Sequence, residues 1–309
     1  MIKVPDALAA SHHKYFSRAG DAWIAAAPAM AERYLELWNC TPDGPHASGA
    51  VAWVLPVRTD SGEPAALKLQ PVDDETVGEP LALRTWDGAG AVRLLRADPV
   101  TGAMLLERCD ANRTLDHEPD DLVALQTLSE LLARLTAVPA PAGLRRLSEM
   151  AEDLIERADV VLDRIGRDDH RRLITDCSAA VQQVRGEAGD RLLHWDLHYQ
   201  NVLAALPGSG REPWLAIDPK PLAGDPCFDL FPALHNRWDD VLASCDVDRS
   251  VLRRFDLMTE VTGLDRRRAA AWTLGRVLQN LVWSAESGVD EGHGDIDRRV
   301  AGILLVHRL

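Results

Sequence analysis

The sequence lacks the features that would place the chain in a membrane or outside the cell. No stretch approaches the roughly 18 uncharged apolar residues that a membrane-spanning helix requires. The N-terminal residues contain no apolar segment of signal-peptide length. Cysteine is scarce, and its five copies are dispersed singly with no C-x-x-C spacing, at positions 40, 109, 177, 227 and 245. Such cysteines indicate thiols in a reducing compartment rather than disulfides or a zinc site, so we expect a cytoplasmic protein.

Basic residues are also under-represented. The 309-residue chain has 34 Lys plus Arg against 48 Asp plus Glu, which gives a formal net charge of −14. This charge argues against a nucleic-acid-binding protein or one held on anionic lipid. It suits a cationic small-molecule partner, although acidity that serves only solubility is the commoner case. Aromatic residues are only 5% of the chain, yet nine are tryptophans, which pack in cores or form flat walls for ligands.

Hydrophobic periodicity divides the chain into a strand-rich first part and a helical second part. After a helical stretch over 6–38, the first part has predicted strands at 50–57, 64–70, 91–95 and 103–107, with one helix at 81–86. Beyond residue 110 the predicted helices are 120–135, 148–165, 169–184 and those from 228 onward, interrupted by a hairpin over 201–217. This order predicts an α+β fold with a small β-rich N-lobe, residues 1–109, and a larger helical C-lobe, residues 110–309.

Polar residues cluster at the two ends of the predicted hairpin. Residues 194–201, HWDLHYQN, precede its first strand, and Asp218 follows its second strand. Because a hairpin holds its ends side by side, we expect Asp196, Asn201 and Asp218 to converge. Two carboxylates and an amide oxygen suit Mg²⁺, and one carboxylate can instead accept a proton from a substrate hydroxyl. This order matches an H-x-D-x-x-x-x-N catalytic loop followed by a metal-binding aspartate. The structural alternative is that the two aspartates cap turns while His194 packs.

A phosphotransferase also needs a phosphate-binding lysine on a strand, and Lys68 meets this need. It is one of four lysines and lies between two leucines in an apolar run. A lysine in such a run either bends out to solvent or meets an anion. We predict that Glu79, at the start of the next helix, pairs with it, with Glu75 as the second choice. The alternative for either glutamate is a solvated helix start.

The remaining nucleotide-binding features are weaker. Backbone groups around Glu107 and Cys109, where the small sheet enters the helical part, are candidates to bind adenine. The turn at Ser48-Gly49 would cover the nucleotide, but it has one glycine and is no G-x-G-x-x-G loop. No G-x-x-x-x-G-K-[ST] sequence is present, which excludes the P-loop NTPases.

Together these motifs resemble the aminoglycoside phosphotransferase family. The resemblance rests on residues 194–201, on Ile217-Asp218-Pro219 and on residues 224–229, GDPCFD. Residues 88–95, GAGAVRLL, and 104–107, MLLE, are similar to its branch of streptomycin 6-phosphotransferases and hydroxyurea phosphotransferases. The resemblance covers nearly the whole chain and implies a bilobal protein-kinase-like fold that transfers phosphate from ATP.

The resemblance also implies roles for the residues of the catalytic loop. Asp196 would be the catalytic base, and Asn201 and Asp218 would bind Mg²⁺. His198 would lie beside the transferring phosphate.

Other matching residues would support this centre. Lys68, oriented by Glu79, would hold the α- and β-phosphates of ATP. Asp225 and Asp229 would brace the catalytic loop rather than touch substrate.

Two residues near the predicted site, Trp195 and Lys220, affect which acceptor we expect. Trp195 stands where the family usually has glycine, and it either reshapes the acceptor pocket or packs beneath the loop. Lys220 follows Asp218-Pro219 and places a positive charge near the site. Because both features disfavour a polycation, we expect an acceptor smaller and less charged than streptomycin, such as an amino sugar.

Candidate acceptor-binding residues lie in the late helical segments. Trp283 and Glu286 are three residues apart and share a helix face, where they would hold an amino sugar. The alternative is that Trp283 packs between helices and Glu286 is solvated. Asp239 lies on an earlier polar segment of the same lobe.

The sequence therefore predicts an ATP- and Mg²⁺-dependent kinase that phosphorylates a hydroxyl group of an aminoglycoside-like or amino-sugar acceptor, as in antibiotic resistance. A hydroxyurea or housekeeping-metabolite kinase of the same fold is one alternative. A nucleotide-binding pseudokinase is another, and the intact set Lys68, Asp196, Asn201 and Asp218 argues against it. We expect neither nucleic-acid nor membrane partners.

Overall fold

The computed structural model describes residues 2–287 and 294–307, and the chain divides into two compact units. The N-terminal unit comprises Met1–Asp110 and Ala205–Leu215, and the C-terminal unit comprises Ala111–Ala204 and Ala216–Leu309. The first boundary lies next to the lobe junction that the sequence predicts. The tip of the predicted hairpin, however, groups with the N-terminal unit, whereas the sequence pattern placed it in the C-lobe.

Helices and strands alternate early in the chain, and helices dominate later. The α-helices of the described residues are α1 Asp6–Leu37, α2 Glu79–Trp86, α3 Asp121–Thr136, α4 Leu147–Leu162, α5 Asp168–Val184, α6 Phe231–His235, α7 Trp238–Leu242, α8 Val247–Thr262, α9 Arg266–Ser287 and α10 Gly294–Val306. The strands are β1 Thr41–Pro42, β2 Ala47–Ser48, β3 Trp53–Arg58, β4 Pro64–Leu69, β5 Leu94–Asp98, β6 Ala103–Glu107, β7 Cys109–Thr114, β8 Arg191–Leu193, β9 Val202–Ala205, β10 Trp214–Ala216 and β11 Leu222–Gly224.

A six-stranded antiparallel sheet forms the framework of the N-terminal unit. Its strand order is β1-β3-β4-β6-β5, and β2 pairs with β3 off this path. Lys68 on β4 lies opposite Val54 of β3 and Met104 of β6. Since successive side chains of a strand point to opposite faces, Lys68 lies on the other face from Leu67 and Leu69.

Helix α1 covers the face that carries Leu67 and Leu69. Its small and aromatic side chains, including Ala27, Ala31 and Tyr34, join these leucines in one buried apolar cluster. The helix is kinked where Ser17 adopts a positive φ of 49°. Lys68 is thereby left to the opposite face of the sheet, where its charge needs a partner.

The C-terminal unit is built around α9, in which half of the residues are buried. Helices α4, α5 and α10 pack against it. Helix α3 carries the leucine stripe that the sequence predicts, and its N-terminus is capped by Asp120, whose carboxylate accepts the backbone N–H groups of Leu122 and Val123. Two small sheets complete the structure: β8 pairs antiparallel with β11, and a second sheet has the order β10-β9-β7.

Two predicted boundaries were wrong. Strand β5 begins at Leu94 rather than at residue 91, because the backbone N–H of Arg93 binds the carboxylate of Glu107 at 3.0 Å and a bulge follows between Leu94 and Arg96. Strand character also continues past the predicted junction as β7, where the sequence analysis predicted no strand. Within the described residues, no helix is both long and apolar enough to cross a membrane.

Candidate active site

The catalytic loop begins at His194, directly after the buried strand β8. This imidazole is buried, and its Nε2 lies 3.0 Å from the carbonyl oxygen of Ile217, which ends the hairpin. Burial lowers the pKa of His194 to about 4, so the ring is neutral near pH 7 and Nε2–H donates this bond. His194 therefore ties the start of the loop to the segment that carries Asp218.

Asp229 holds the same loop through its backbone. Its two carboxylate oxygens accept the N–H groups of His194 at 2.8 Å and Trp195 at 2.9 Å. The carboxylate is fully buried, and this burial raises its pKa to about 7 against the opposing effect of the two hydrogen bonds. Asp225 caps the turn that follows β11 and forms an ion pair with Arg268. Asp229 therefore braces the catalytic loop, as the resemblance implied, whereas Asp225 braces the turn after β11.

Trp195 packs beneath the loop rather than lining an open surface. Only 2% of the residue is exposed, and its backbone has a positive φ of 65°. The guanidinium groups of Arg145 and Arg276 lie 4.7 and 5.0 Å from the ring centroid, and Trp283 meets the ring edge-on at 6.4 Å. Because these side chains enclose the indole, the structure supports the packing alternative, and contact of Trp195 with an acceptor stays a prediction.

The residues predicted to converge at the two ends of the hairpin, Asp196, Asn201 and Asp218, lie on neighbouring backbone segments. The side-chain amide of Asn201 donates to the carbonyl oxygen of Asp196 at 2.9 Å, and the N–H of Ile217 donates to the carbonyl oxygen of Asn201 at 2.9 Å. Asp218 comes next, with a positive φ of 58° that redirects the chain after β10. The hairpin thus brings its two ends together, as the sequence predicts.

The donor atoms at these positions fit a magnesium ion. The NH₂ group of Asn201 is engaged with Asp196, which leaves the amide oxygen as the atom that can bind a cation. Mg²⁺ typically binds one or two protein oxygens together with water and substrate phosphates. Among residues 2–287 and 294–307, no group of three or more His, Cys, Asp or Glu side chains is placed to hold a metal ion.

Lys220 lies against the proposed base. Its backbone N–H donates to the carbonyl oxygen of His194 at 3.0 Å, and its Nζ forms an ion pair with Oδ2 of Asp196 at 3.2 Å. This ion pair was not predicted, although the sequence pattern placed a positive charge near the site. Because the charge of Lys220 is matched by Asp196, it does not present an unbalanced barrier to a cationic acceptor.

His198 is half-buried within the same loop. Its Nδ1 atom is buried and has no hydrogen-bonding partner among the described residues. Burial is the main cause that lowers its pKa, and the nearby carboxylates of Asp196 and Asp218 oppose this shift. The ring is thus a neutral group beside the two aspartates.

Lys68 and Glu79 form a buried ion pair in the N-terminal unit. Nζ of Lys68 donates to both oxygens of Glu79, at 2.7 and 2.8 Å, and the amide of Gln70 donates to the same carboxylate at 2.6 Å. Lys68 is 3% exposed and Glu79 is 0% exposed. The predicted pairing with Glu79 is confirmed, and Glu75 lies in the preceding turn.

The candidate adenine-binding residues have defined partners in the same unit. The backbone N–H of Glu107 donates to the carbonyl of Arg93 at 2.9 Å, so this donor is already used within the protein. The Glu107 carboxylate binds Arg211 at 2.7 Å. Burial, followed by the charge of Glu107, raises the pKa of Cys109 to about 12, so the thiol is neutral. Arg211 had no local sequence signal, because it lies 104 residues from its partner.

Ser48 ends the short strand β2, and Gly49 begins the turn between β2 and β3; both residues are exposed. The N–H of Gly49 donates to the carbonyl of Ala52 at 3.0 Å, and a Cβ atom at Gly49 would meet nothing within 4 Å. Contact of Ser48 and Gly49 with a nucleotide stays a prediction.

The candidate acceptor residues are dispersed in the C-terminal unit. Glu286 forms an ion pair with Arg157 of α4, with N–O distances of 3.1 and 2.5 Å. Trp283, on the same helix α9, is 40% exposed and contacts the edge of Trp195. Asp239 is exposed on the short helix α7. Glu286 is thus neither simply solvated nor an unpaired acid, because its charge is matched by an arginine that the sequence analysis did not single out.

Comparison with known proteins identifies the family. The family model for aminoglycoside/hydroxyurea antibiotic resistance kinases matches residues 37–288. The chain belongs to this family. A streptomycin 6-kinase of Streptomyces glaucescens is 54% identical over 288 residues, which cover 93% of this chain and 92% of that protein. A hydroxyurea phosphotransferase of Kitasatospora aureofaciens is 48% identical over 290 residues, which cover 93% and 82% of the two chains.

Similarity to solved structures confirms the fold. A thermostable variant of the aminoglycoside phosphotransferase APH(4)-Ia, solved as a ternary complex with ADP and hygromycin B, aligns with a TM-score of 0.62. The two sequences are 14% identical, and the alignment covers 89% of this chain and 98% of that chain. The 309-residue chain therefore has the bilobal protein-kinase-like fold that the resemblance implied, and it is a phosphotransferase.

Proposed function

We propose that this kinase transfers the γ-phosphoryl group of ATP, with Mg²⁺, to a hydroxyl group of a streptomycin-like aminoglycoside. The observation that carries the proposal is the arrangement of the catalytic loop. Asp196 and Asn201 are joined by a 2.9 Å hydrogen bond, and the backbone of Asn201 is bonded to the residue before Asp218. This combination of a partly exposed carboxylate and two cation-binding oxygens supports phosphoryl transfer to an alcohol.

Asp196 is the proposed catalytic base. Its side chain is 25% exposed, so one carboxylate oxygen can accept a proton from a bound hydroxyl group. The bonds from Asn201 and Asp229 fix the backbone on both sides of it, so that the carboxylate needs little reorganisation during the reaction.

Asn201 and Asp218 are the proposed ligands of Mg²⁺. The ion neutralises charge on the nucleotide phosphates when it is bound. The amide of Asn201 is held in one orientation by its bond to Asp196, and Asp218 is positioned by the backbone turn that follows β10.

Lys68 is the proposed ligand of the α- and β-phosphates. Its bond to Glu79 holds the ammonium group in one position in the N-terminal unit. Ser48, Gly49, the carbonyl of Glu107 and the backbone of Cys109 remain the proposed contacts for the rest of the nucleotide. The ADP complex of the fold relative supports a nucleotide ligand for this fold.

Streptomycin is favoured over a smaller acceptor by the relatives and by two structural findings. The expectation of a small acceptor rested on the bulk of Trp195 and the charge of Lys220. Trp195 is enclosed by arginines, and the charge of Lys220 is matched by Asp196. Hydroxyurea is the second candidate, because a relative with 48% identity is named for it.

A phosphorylation assay tests the proposal. Purified protein, ATP and Mg²⁺ are incubated with streptomycin, hydroxyurea or glucosamine, and both ADP and the phosphorylated product are quantified. We expect saturable product formation with streptomycin that is lost in Asp196→Ala. Product with hydroxyurea alone would favour the second candidate. Nucleotide binding with no product from any of the three would contradict the proposal and favour a binding module.

A further inference from the structure

Lys220 lies in a backbone segment with little conformational freedom. Its neighbours on both sides are prolines, Pro219 and Pro221, whose rings fix their own φ angles and restrict the residues that precede them. The N–H of Lys220 is also bonded to the carbonyl oxygen of His194. The Cα atom of Lys220, from which the side chain extends, is therefore held in place relative to the catalytic loop.

From this position the side chain reaches the proposed base. Nζ of Lys220 lies 3.2 Å from Oδ2 of Asp196, and the two side chains are 33% and 25% exposed. A pair that is this open to solvent contributes little to folding stability. The charge-matched pair is instead accessible to a ligand.

The ammonium group of Lys220 is well placed to contact a group that is bound beside Asp196. A substrate hydroxyl bound to the Asp196 carboxylate would lie within a few ångströms of Nζ, and the phosphorus that this hydroxyl attacks must be adjacent to it. Charge spreads over the three equatorial oxygens of the phosphoryl group during transfer and requires cationic partners.

We propose that Lys220 is a catalytic residue whose ammonium group binds the phosphoryl group during its transfer. The inference rests on the proposed kinase function. In the reaction, the acceptor O–H bond breaks and its proton passes to Asp196. The acceptor oxygen forms a bond to the γ-phosphorus, and the bond between that phosphorus and the β,γ-bridging oxygen breaks, with its electron pair leaving on ADP. Lys220 balances the charge of the transferred group and exchanges no atoms.

The first test measures turnover. Lys220→Met removes the charge but keeps most of the side-chain length, and we expect kcat to fall about 10²- to 10³-fold, as when one preorganised donor is removed. The KM for ATP should change much less. Lys220→Arg should recover at least about tenfold of the loss, because the charge is restored. Lys3→Met is a matched control, since Lys3 also pairs with an aspartate, Asp6, but at an exposed position in the N-terminal unit.

The second test needs no acceptor. Fluoroaluminate with ADP and Mg²⁺ imitates the phosphoryl group in transfer, and calorimetry compares ADP binding with and without it. We expect fluoroaluminate to tighten ADP binding to the wild type, and this gain to fall at least about tenfold in Lys220→Met. Asp196→Asn should retain most of the gain, because no proton is removed in this complex.

The possible outcomes distinguish a failure of the role proposed for Lys220 from a failure of the proposed acceptor. An equal fluoroaluminate gain in the wild type and Lys220→Met would overturn the proposal even if streptomycin is phosphorylated. If the fluoroaluminate-induced increase in ADP affinity is lost in Lys220→Met and no acceptor is phosphorylated, the role of Lys220 would be supported and the proposed acceptor contradicted. Loss of kcat in Lys220→Met without recovery in Lys220→Arg, together with an unchanged gain, would assign Lys220 a positioning role only and reject the proposal.

Discussion

The two units each contain one lysine–carboxylate pair at the proposed reaction machinery, and the pairs differ in burial. Lys68 and Glu79 are 4% and 1% exposed in their side chains, and Gln70 donates a further hydrogen bond to the glutamate. Lys220 and Asp196 are 33% and 25% exposed, at a separation of 3.2 Å rather than 2.7 Å. The same chemical pairing is thus enclosed in the N-terminal unit and solvent-accessible in the C-terminal unit.

This difference separates two uses of an ion pair. An enclosed pair fixes a charge in one place, since breaking it leaves the partner charge buried and uncompensated. An accessible pair can exchange its partner, since water solvates whichever group is released. Lys68 therefore suits a constant contact with the nucleotide, and Lys220 and Asp196 suit groups that change during the reaction.

The largest expected effect concerns Asp196. Asp196→Ala should lower kcat by about 10²- to 10⁴-fold, because the proposed general base is lost. ADP affinity should remain nearly unchanged, as measured by calorimetry, because the base serves the acceptor rather than the nucleotide. Asp60→Ala, in the exposed turn between β3 and β4, is the control. A comparable loss of ADP affinity in Asp196→Ala would contradict the division of roles.

Lys68→Met should have the largest effect on stability. It leaves the buried carboxylate of Glu79 without its cation, which costs about 3–5 kcal/mol of unfolding free energy. Urea unfolding at pH 7 measures this change. The double variant Lys68→Met/Glu79→Met should recover part of the loss, because no buried charge then remains. If the double variant is less stable than the single variant, the enclosed charge is not the cause.

The accessible pair depends on His194, which binds the backbone of Lys220 and is neutral in the folded protein. Its pKa is about 4, below its usual 6.5, so the folded state binds the proton less readily than the unfolded state. The contribution of His194 to stability is therefore complete above pH 6.5 and is lost as the pH falls towards 4. The full difference is on the order of 3 kcal/mol.

His194→Gln tests this dependence, because glutamine can donate to Ile217 but carries no titrating group in this range. Unfolding free energies are measured between pH 7 and 4 for both proteins. The wild type should lose more stability than the variant over this interval. Parallel curves would show that His194 does not cause the acid sensitivity.

Lys220→Met should have the smallest effect on stability. An ion pair of this exposure contributes at most about 1 kcal/mol, so urea unfolding of Lys220→Met should stay close to that of the wild type. Lys68→Met, measured in parallel, provides the contrast. A loss in Lys220→Met as large as that in Lys68→Met would show that the two pairs serve the same structural purpose.

The parts of the site that the sequence predicts correctly depend on short-range patterns. Lys68 was identifiable because a lysine between leucines on a strand needs a partner, and Glu79 begins the next helix only eleven residues later. The convergence of Asn201 and Asp218 followed from one hairpin. Each prediction required only that a strand, a turn or a helix form where its local pattern indicates.

The parts that it does not predict depend on residues far apart in the chain. Whether Trp195 lines a pocket or packs is decided by Arg145 and Arg276, which come from separate segments. The pairing of Glu286 with Arg157 spans 129 residues. The start of β5 was predicted wrongly for a related reason, since the side-chain carboxylate of Glu107 accepts a hydrogen bond from the backbone N–H of Arg93. The local hydrophobic periodicity of a sequence does not indicate contacts of this kind.

The stack of Arg145, Trp195 and Arg276 also limits which sequences can follow from this one by single substitutions. Glycine at position 195 would adopt the positive φ with roughly 1–2 kcal/mol less backbone strain than tryptophan. The same substitution would remove the indole ring against which the guanidinium groups of Arg145 and Arg276 pack. A route to glycine at this position is therefore expected to pass first through changes at 145 and 276. Because the three side chains are in contact, the effects of substitutions at these positions on stability are expected to be non-additive.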